Sequence, residues 1–130
     1  MKKRNIQKDF HLKEIRVSMG LFDFDVICVI GEYKHLGKYI QWKFEDKSFD
    51  PEDFDLKYEC RGKCCFKRGY VPVIWIPRKP KTTREHATLA HECLHAVFHL
   101  FAWANLRGNR ETEEVMTHSM AHLITNILKS

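Results

Sequence analysis

Residues 82–104 read TTREHATLAHECLHAVFHLFAWA, and this stretch dominates the interpretation of the chain. Thr82 followed three residues later by Glu85 fits a capping box, in which each side chain satisfies a free backbone N–H of the other. Apolar residues recur at helical spacing and form one stripe: Ala87, Ala90, Leu94, Val97 and Phe101. We therefore expect a helix from about Thr83 to Ala104.

The same stretch contains His91-Glu92-Cys93-Leu94-His95, an H-E-x-x-H motif. Residues four apart on a helix have Cβ atoms ~5–6 Å apart on one face. The imidazoles of His91 and His95 can therefore converge on one metal ion, at the Zn–N distance of about 2.0–2.1 Å. Glu92 flanks this pair and can accept a proton from a metal-bound water. The motif predicts one catalytic Zn²⁺, with Glu92 as general base and acid.

A catalytic zinc has three protein ligands and one open position, so a third ligand must come from elsewhere. A second helix is expected from about Thr112 to Lys129, after a turn built on Gly108. Two antiparallel helices would return Glu114 toward the histidine pair, and we prefer it as the third ligand. Glu113 is the near competitor, and His118 or His122 is a further alternative.

The residues before the motif predict a small sheet. Asp25–Gly31 (DVICVIG) is β-branched and apolar, as in a buried strand. Lys38–Phe44 (KYIQWKF) alternates like a half-buried strand, joined to the first by a hairpin loop over 32–37. Tyr70–Pro77 (YVPVIWIP) predicts a strand with one free side, since Pro72 cannot donate to a ladder.

Together these elements predict an α+β fold. We expect a small, twisted, mainly antiparallel sheet packed on the H-E-x-x-H helix and on the second C-terminal helix. The 130 residues suit a single domain over residues 1–130. Residues 1–9 are expected to be a mobile basic arm, and residues 10–17 fit either a short helix or a strand.

Cysteine usage favours a reducing cytoplasm. Five cysteines cannot all pair internally, and the basic N-terminus lacks the apolar region of a secretory signal. No apolar stretch approaches the ~20 residues of a membrane span. Cys93 is expected to be a small core residue. Cys60, Cys64 and Cys65 lack a second ligand pair for a structural zinc, so loop thiols are favoured.

Charge is concentrated between Lys57 and Arg84, where nine basic residues accompany one acid, Glu59. One interpretation is a solvated surface, and the other is a basic face for nucleic acid or an acidic partner.

His99 lies two turns beyond His91, about 12 Å along a helix. It therefore cannot share the metal with both histidines, and we expect it beside the site or at the surface.

Residues 88–97 (TLAHECLHAV), with Glu113-Glu114-Val115 and Met120-Ala121-His122-Leu123, resemble the minimal gluzincin zinc metallopeptidases. That group includes the ImmA/IrrE-like peptidases and small metallopeptidases of phages and prophages. The resemblance covers roughly residues 70–128.

This resemblance implies that His91, His95 and Glu114 bind zinc and that Glu92 is the catalytic acid and base. One departure is His118, because many gluzincins place an aspartate four residues after the ligand glutamate. Another residue would then have to orient a ligand histidine.

The predicted function is zinc-dependent hydrolysis of a peptide bond in a protein or peptide substrate. His118, His122 and Tyr70 are candidates for substrate binding or for stabilising the oxyanion. Three alternatives remain: a non-catalytic nucleic-acid-associated or protein-interaction module with a structural metal, a SprT-like protease of DNA-bound proteins, and a metal-binding fold that has lost catalysis. A SprT-like site takes a third histidine.

Overall fold

The computed structural model describes residues 4–20, 24–46, 61–104 and 110–130, without the side chains of Arg110 and Glu111. The elements are helix α1 (Ile6–Phe10), strands β1 (Lys13–Met19) and β2 (Phe24–Ile30), a 3₁₀ turn (Tyr33–His35), helix α2 (Leu36–Lys43), strands β3 (Lys63–Cys65) and β4 (Val73–Ile76), and helices α3 (Thr83–Trp103) and α4 (Arg110–Lys129).

The described strands form one open sheet in the order β1-β2-β4-β3. β1 pairs antiparallel with β2, and β3 pairs antiparallel with β4. β2 and β4 are parallel, with Ile27 opposite Val73 and Ile30 opposite Ile76. The structure therefore confirms the α+β class and the mainly antiparallel sheet, and it adds one parallel pair in the middle.

Strand β2 is buried on both faces from Val26 to Val29, as its apolar run VICVI predicts. Val26 and Cys28 face the layer formed by α3 and α4, whereas Ile27 and Val29 face the layer formed by α1 and α2. Both α3 and α4 pack on the first face, so the sheet separates two apolar clusters. None of the described helices combines the length and the hydropathy of a membrane-crossing segment.

The prediction of a strand over 38–44 is wrong, because these residues belong to helix α2. Leu36, Tyr39 and Ile40 are fully or almost fully buried, and this spacing marks one helix face. The alternation of KYIQWKF also fits part of a helix, and Leu36, just before it, completes the helical face. The predicted hairpin loop over 32–37 is accordingly the 3₁₀ turn and the start of α2.

Strand β4 lies inside the sheet, so the prediction of a strand with one free side is also wrong. It pairs with β2 on one side and β3 on the other. Pro72 is compatible with this position because it precedes the strand, and its carbonyl accepts a hydrogen bond from the N–H of Ile27 at 3.1 Å. The strand at this edge of the sheet is β3.

The described part of the predicted N-terminal arm is folded. The Asn5 side chain caps α1 by accepting a hydrogen bond from the N–H of Lys8 at 3.0 Å. Phe10 is buried against the rings of Tyr39 and Trp42. The ambiguous residues 10–17 are therefore the end of α1 and most of β1, whose residues alternate between exposed and buried.

Candidate active site

Helix α3 begins with the predicted capping box. The Thr82 hydroxyl accepts from the N–H of Glu85 at 3.1 Å, and the Glu85 carboxylate accepts from the N–H of Thr82 at 3.0 Å. The helix then continues without interruption to Trp103. His91 and His95 therefore lie on regular helix, one turn apart, as the motif requires.

The buried face of α3 differs from the predicted stripe. Leu94 remains 36% exposed, and Phe98 is 49% exposed. The residues that pack on the sheet are Leu89, Cys93, Ala96, Val97, Leu100 and Phe101. Apolar residues nearly surround this helix, so its sequence alone does not select the face that packs inward. The observed face leaves both motif histidines exposed and confirms Cys93 as a core residue.

The two motif imidazoles meet at one point. Nε2 of His91 lies 3.1 Å from Nε2 of His95, and the ring planes are 83° apart. Two nitrogens bound to one tetrahedral zinc at about 2.0–2.1 Å would lie about 3.3 Å apart. The pair therefore fits two positions of a zinc site, with a donor chemistry that zinc accepts.

Glu92 is only 7% exposed, although it follows an exposed histidine. Burial raises the pKa of its carboxyl group, while the neighbouring His91 and His95 oppose that rise. The space around its side chain is limited by Gly62, where a Cβ atom would lie 3.0 Å from Cγ of Glu92. Gly62, just before β3, thus leaves the space that the stem of Glu92 occupies.

His91 and Glu92 line an open groove of about 370 Å³, together with Arg61, Arg84 and Thr88. Arg61 and Arg84 belong to the basic segment 57–84, but the sequence did not predict that they or Thr88 lie beside the motif. Arg84, Thr88 and His91 are spaced i, i+4 and i+7 on α3, so helical periodicity could have found two of them. Arg61 and Gly62 reach the groove only through the pairing of β3 with β4, which no local pattern indicates.

The structure does not bring Glu114 to the histidine pair. Its side chain is 79% exposed, and its Oε2 lies 3.6 Å from Nε2 of His118. Glu113 is exposed as well. Among the described residues, no three His, Cys, Asp or Glu side chains are close enough together to hold one metal ion. Glu114 therefore stays a prediction as third ligand.

The predicted substrate-binding or oxyanion candidates each lie near residues outside the groove. Nε2 of His122 bonds to the carbonyl of Ser18 at 2.8 Å, at the β1 side of the sheet. The Tyr70 hydroxyl donates to Glu45 at 2.9 Å. Tyr70 packs with the cluster on the sheet face opposite α3, and His118 is paired with Glu114. The structure therefore places none of the three in the groove.

Two of the remaining predicted thiols lie on a strand. Cys64 and Cys65 belong to β3, so their prediction as loop thiols is wrong, and Cys60 lies outside the described residues. Burial raises the pKa of the Cys64 thiol to about 12.

His99 stacks on Phe66 with ring centroids 4.7 Å apart. Its buried Nε2 has no hydrogen-bond partner in the described part of the chain.

Several cations of the basic segment 57–84 have partners, although its first residues lie outside the described chain. Lys67 pairs with Asp46 and also donates to the carbonyl of Phe44. Arg78 pairs with Glu85, and Lys79 donates to the carbonyl of Ser130 at 2.7 Å. The positive charge of the segment is therefore partly compensated within the fold.

Compared with models of protein families, with curated proteins and with solved structures, the chain matches none of them. The resemblance to minimal gluzincins accordingly rests on the motif residues alone.

Proposed function

We propose that this protein is a zinc-dependent metallopeptidase. The observation that carries the proposal is the 3.1 Å separation of the Nε2 atoms of His91 and His95, with Glu92 buried beside them. A pair of convergent imidazoles next to a partly desolvated carboxylate is the arrangement that metal-assisted hydrolysis needs. Both His91 and Glu92 line an open groove, which gives a substrate access.

His91 and His95 would hold the zinc ion, and Glu114 is the carboxylate that we propose as third ligand. Bound zinc supplies Lewis acidity and lowers the pKa of a water molecule to about 7. Because Glu114 now contacts His118, this role requires its side chain to leave that contact and approach the histidines. Glu113, His118 and His122 are the competing donors.

Glu92 is the proton carrier in this proposal. Its carboxylate accepts a proton from the water that attacks the peptide carbonyl carbon. As the C–N bond breaks, the protonated carboxyl group donates that proton to the leaving amine nitrogen. Burial raises the pKa of Glu92 above its ordinary value, against the opposing effect of His91 and His95, and a raised pKa favours return of the proton to the leaving group.

The proposal places the enzyme in the cytoplasm. The described cysteines Cys28, Cys64, Cys65 and Cys93 are all free thiols, which is typical of proteins in reducing compartments.

Zinc content and peptide cleavage test the proposal together. The purified protein should bind one zinc per chain and cleave labelled casein. Glu92→Gln should keep the metal, because Glu92 is not a ligand, and should lose about 10²–10⁴-fold in rate. His91→Ala should lose both zinc and cleavage.

Asp9→Asn is the matched control, since it makes the same acid-to-amide change on α1, and it should behave like the wild type. A wild-type protein without zinc affinity would contradict the proposal. Undiminished cleavage by Glu92→Gln would do so as well.

A further inference from the structure

A cavity of about 770 Å³ lies where β4 ends and α3 begins. Part of its wall is apolar, formed by Trp75, Ile76, Pro77 and Pro80. The charged residues that line it are Glu32, Lys34, Arg61, Arg78, Arg84 and Glu85. This volume lies within the range of pockets that bind small ligands or short peptide segments.

Two of the four cations in this cavity are already paired. Nζ of Lys34 lies 3.3 Å from Oε2 of Glu32. Arg78 is hydrogen-bonded to Glu85, whose carboxylate is also fixed by the capping box at Thr82. Within the described ranges, no carboxylate lies at ion-pair distance from Arg61 or Arg84. Within the part of the chain that the structure describes, the cavity therefore has two guanidinium groups without a carboxylate partner, and these can receive an acidic ligand.

The same two arginines connect this cavity to the candidate active site. Arg61, Arg84 and Thr88 line both the cavity and the groove that contains His91 and Glu92. Arg84 and His91 are seven residues apart on α3, which is about 10.5 Å at 1.5 Å per residue. An extended peptide advances about 3.3 Å per residue. The distance between the two positions therefore corresponds to about three residues of substrate.

We propose that the cavity selects peptide substrates with an acidic residue that Arg61 and Arg84 bind. This acidic residue lies about three residues from the bond that is cleaved. Bulky apolar residues follow it on the side away from that bond. This inference rests on the proposed function for its substrate class. Guanidinium groups suit the task, because their planar fork of donors matches a carboxylate and keeps its charge at any relevant pH. The apolar wall suits the neighbouring side chains.

A peptide fits the cavity better than a nucleic acid. Glu32 and Glu85 neutralise Lys34 and Arg78, so the lining does not offer a continuous row of free cations to a phosphodiester backbone. The apolar wall is also unlike the continuous basic surface that neutralises successive phosphates. An acidic peptide can place a single carboxylate at the two arginines and leave both glutamates undisturbed.

Binding is measured separately from cleavage, so that the two proposals can fail independently. The protein is Glu92→Gln, which should not consume the probes. The first probe is a fluorescein-labelled ten-residue peptide with one Asp followed by Phe-Leu. A second peptide has Asn in place of Asp, and a third has Ser-Ser in place of Phe-Leu. Fluorescence anisotropy should show that each replacement weakens binding by about tenfold.

Charge variants then test the two arginines. In the background of Glu92→Gln, the added pair Arg61→Gln/Arg84→Gln should remove the difference between the Asp and Asn peptides. The matched pair Lys81→Gln/Lys129→Gln removes the same charge from exposed positions, and it should preserve that difference. Circular dichroism checks that the variants remain folded.

Equal affinity for the Asp and Asn peptides would overturn the inference, as would no binding of the Asp peptide. The inference would also be overturned if the Arg61→Gln/Arg84→Gln variant still preferred the Asp peptide to the Asn peptide. Displacement of the Asp peptide by a 20-base-pair DNA duplex would overturn it as well. The wild type is assayed in parallel for cleavage of the Asp peptide. Selective binding without cleavage would count against the proposed function and leave the binding site intact.

Discussion

Gly62 packs so closely on Glu92 that a Cβ atom at this position would be crowded. A Cβ atom on Gly62 would lie 3.0 Å from Cγ of Glu92 and 2.8 Å from Cγ2 of Thr88. Thr88 cannot move aside easily, because its hydroxyl donates to the carbonyl of Arg84 at 3.0 Å. The start of β3 therefore packs against the stem of Glu92, next to the carboxylate that we propose as proton carrier.

Gly62→Ala should displace Glu92 and lower the rate of peptide cleavage by about tenfold or more, since small misplacements of a catalytic group have large effects. The overpacking should also reduce the free energy of unfolding by about 1–3 kcal/mol. Zinc binding should not change. The cleavage rate, the free energy of unfolding in urea and the zinc content of the purified variant measure these three outcomes.

Gly20→Ala is the matched control, because among the described residues, apart from its chain neighbours, no atom lies within 4 Å of the added Cβ position. It should leave cleavage at the wild-type rate. If Gly62→Ala cleaves as fast as the control, the contact does not position Glu92.

The third ligand can be identified by a pair of neighbouring substitutions. Glu114→Gln should weaken zinc binding by at least about tenfold, because the amide lacks the charge that attracts the metal. Glu113→Gln makes the same change one residue earlier and should have little effect. Competition with a chromogenic chelator measures both affinities. A larger loss in Glu113→Gln would assign the ligand to the neighbouring residue.

The capping box of α3 should make stability depend on pH. The hydrogen bond from Arg78, and then the N–H of Thr82, lower the pKa of Glu85 to about 2. A carboxylate with a lowered pKa stabilises the fold fully above its unfolded pKa of about 4.3. That stabilisation is lost as the pH falls toward 2.

Glu85→Gln should therefore unfold at a lower temperature than the wild type at pH 7, and the difference should shrink steadily below about pH 4. Thr82→Ala is the comparison. It removes a neutral cap and should lower the free energy of unfolding by about 1 kcal/mol. Thermal unfolding followed by circular dichroism at pH 7, 4 and 2.5 gives both results. A constant difference at all three pH values would argue against a titrating Glu85.

Two thiols should resist alkylation in the folded protein. Burial raises the pKa of Cys28 and of Cys64 to about 12, and only the thiolate reacts rapidly. At pH 8, iodoacetamide should modify both residues slowly in buffer and rapidly in urea, as measured by peptide mass spectrometry. Rapid modification of Cys64 in buffer would be inconsistent with the packing of β3 against α3.

The parts of the fold that could be predicted are those fixed by neighbouring residues. The capping box of Thr82 and Glu85 starts α3, and the spacing of His91 and His95 brings their imidazoles together. β2 was also predictable, because an apolar run of this kind suits a strand buried on both faces.

The remaining features depend on residues far apart in the sequence. The prediction of a strand over 38–44 is wrong because KYIQWKF fits both the two-residue period of a strand and the 3.6-residue period of a helix, and only Leu36 distinguishes them. Gly62 and Arg61 enter the groove through pairing of β3 with β4. The place of Glu114 depends on how α4 packs against α3, which the composition of either helix alone does not determine.

The parallel pairing of β2 with β4 links assembly of the groove to formation of the whole sheet. Ile27 can meet Val73 only after a long chain closure, and α3 is the next element after β4. Contacts between residues so distant in sequence form late and slowly during folding. We therefore expect the backbone amides around His91 to exchange with deuterium no faster than those of β2, so that the groove opens only when the central strands separate.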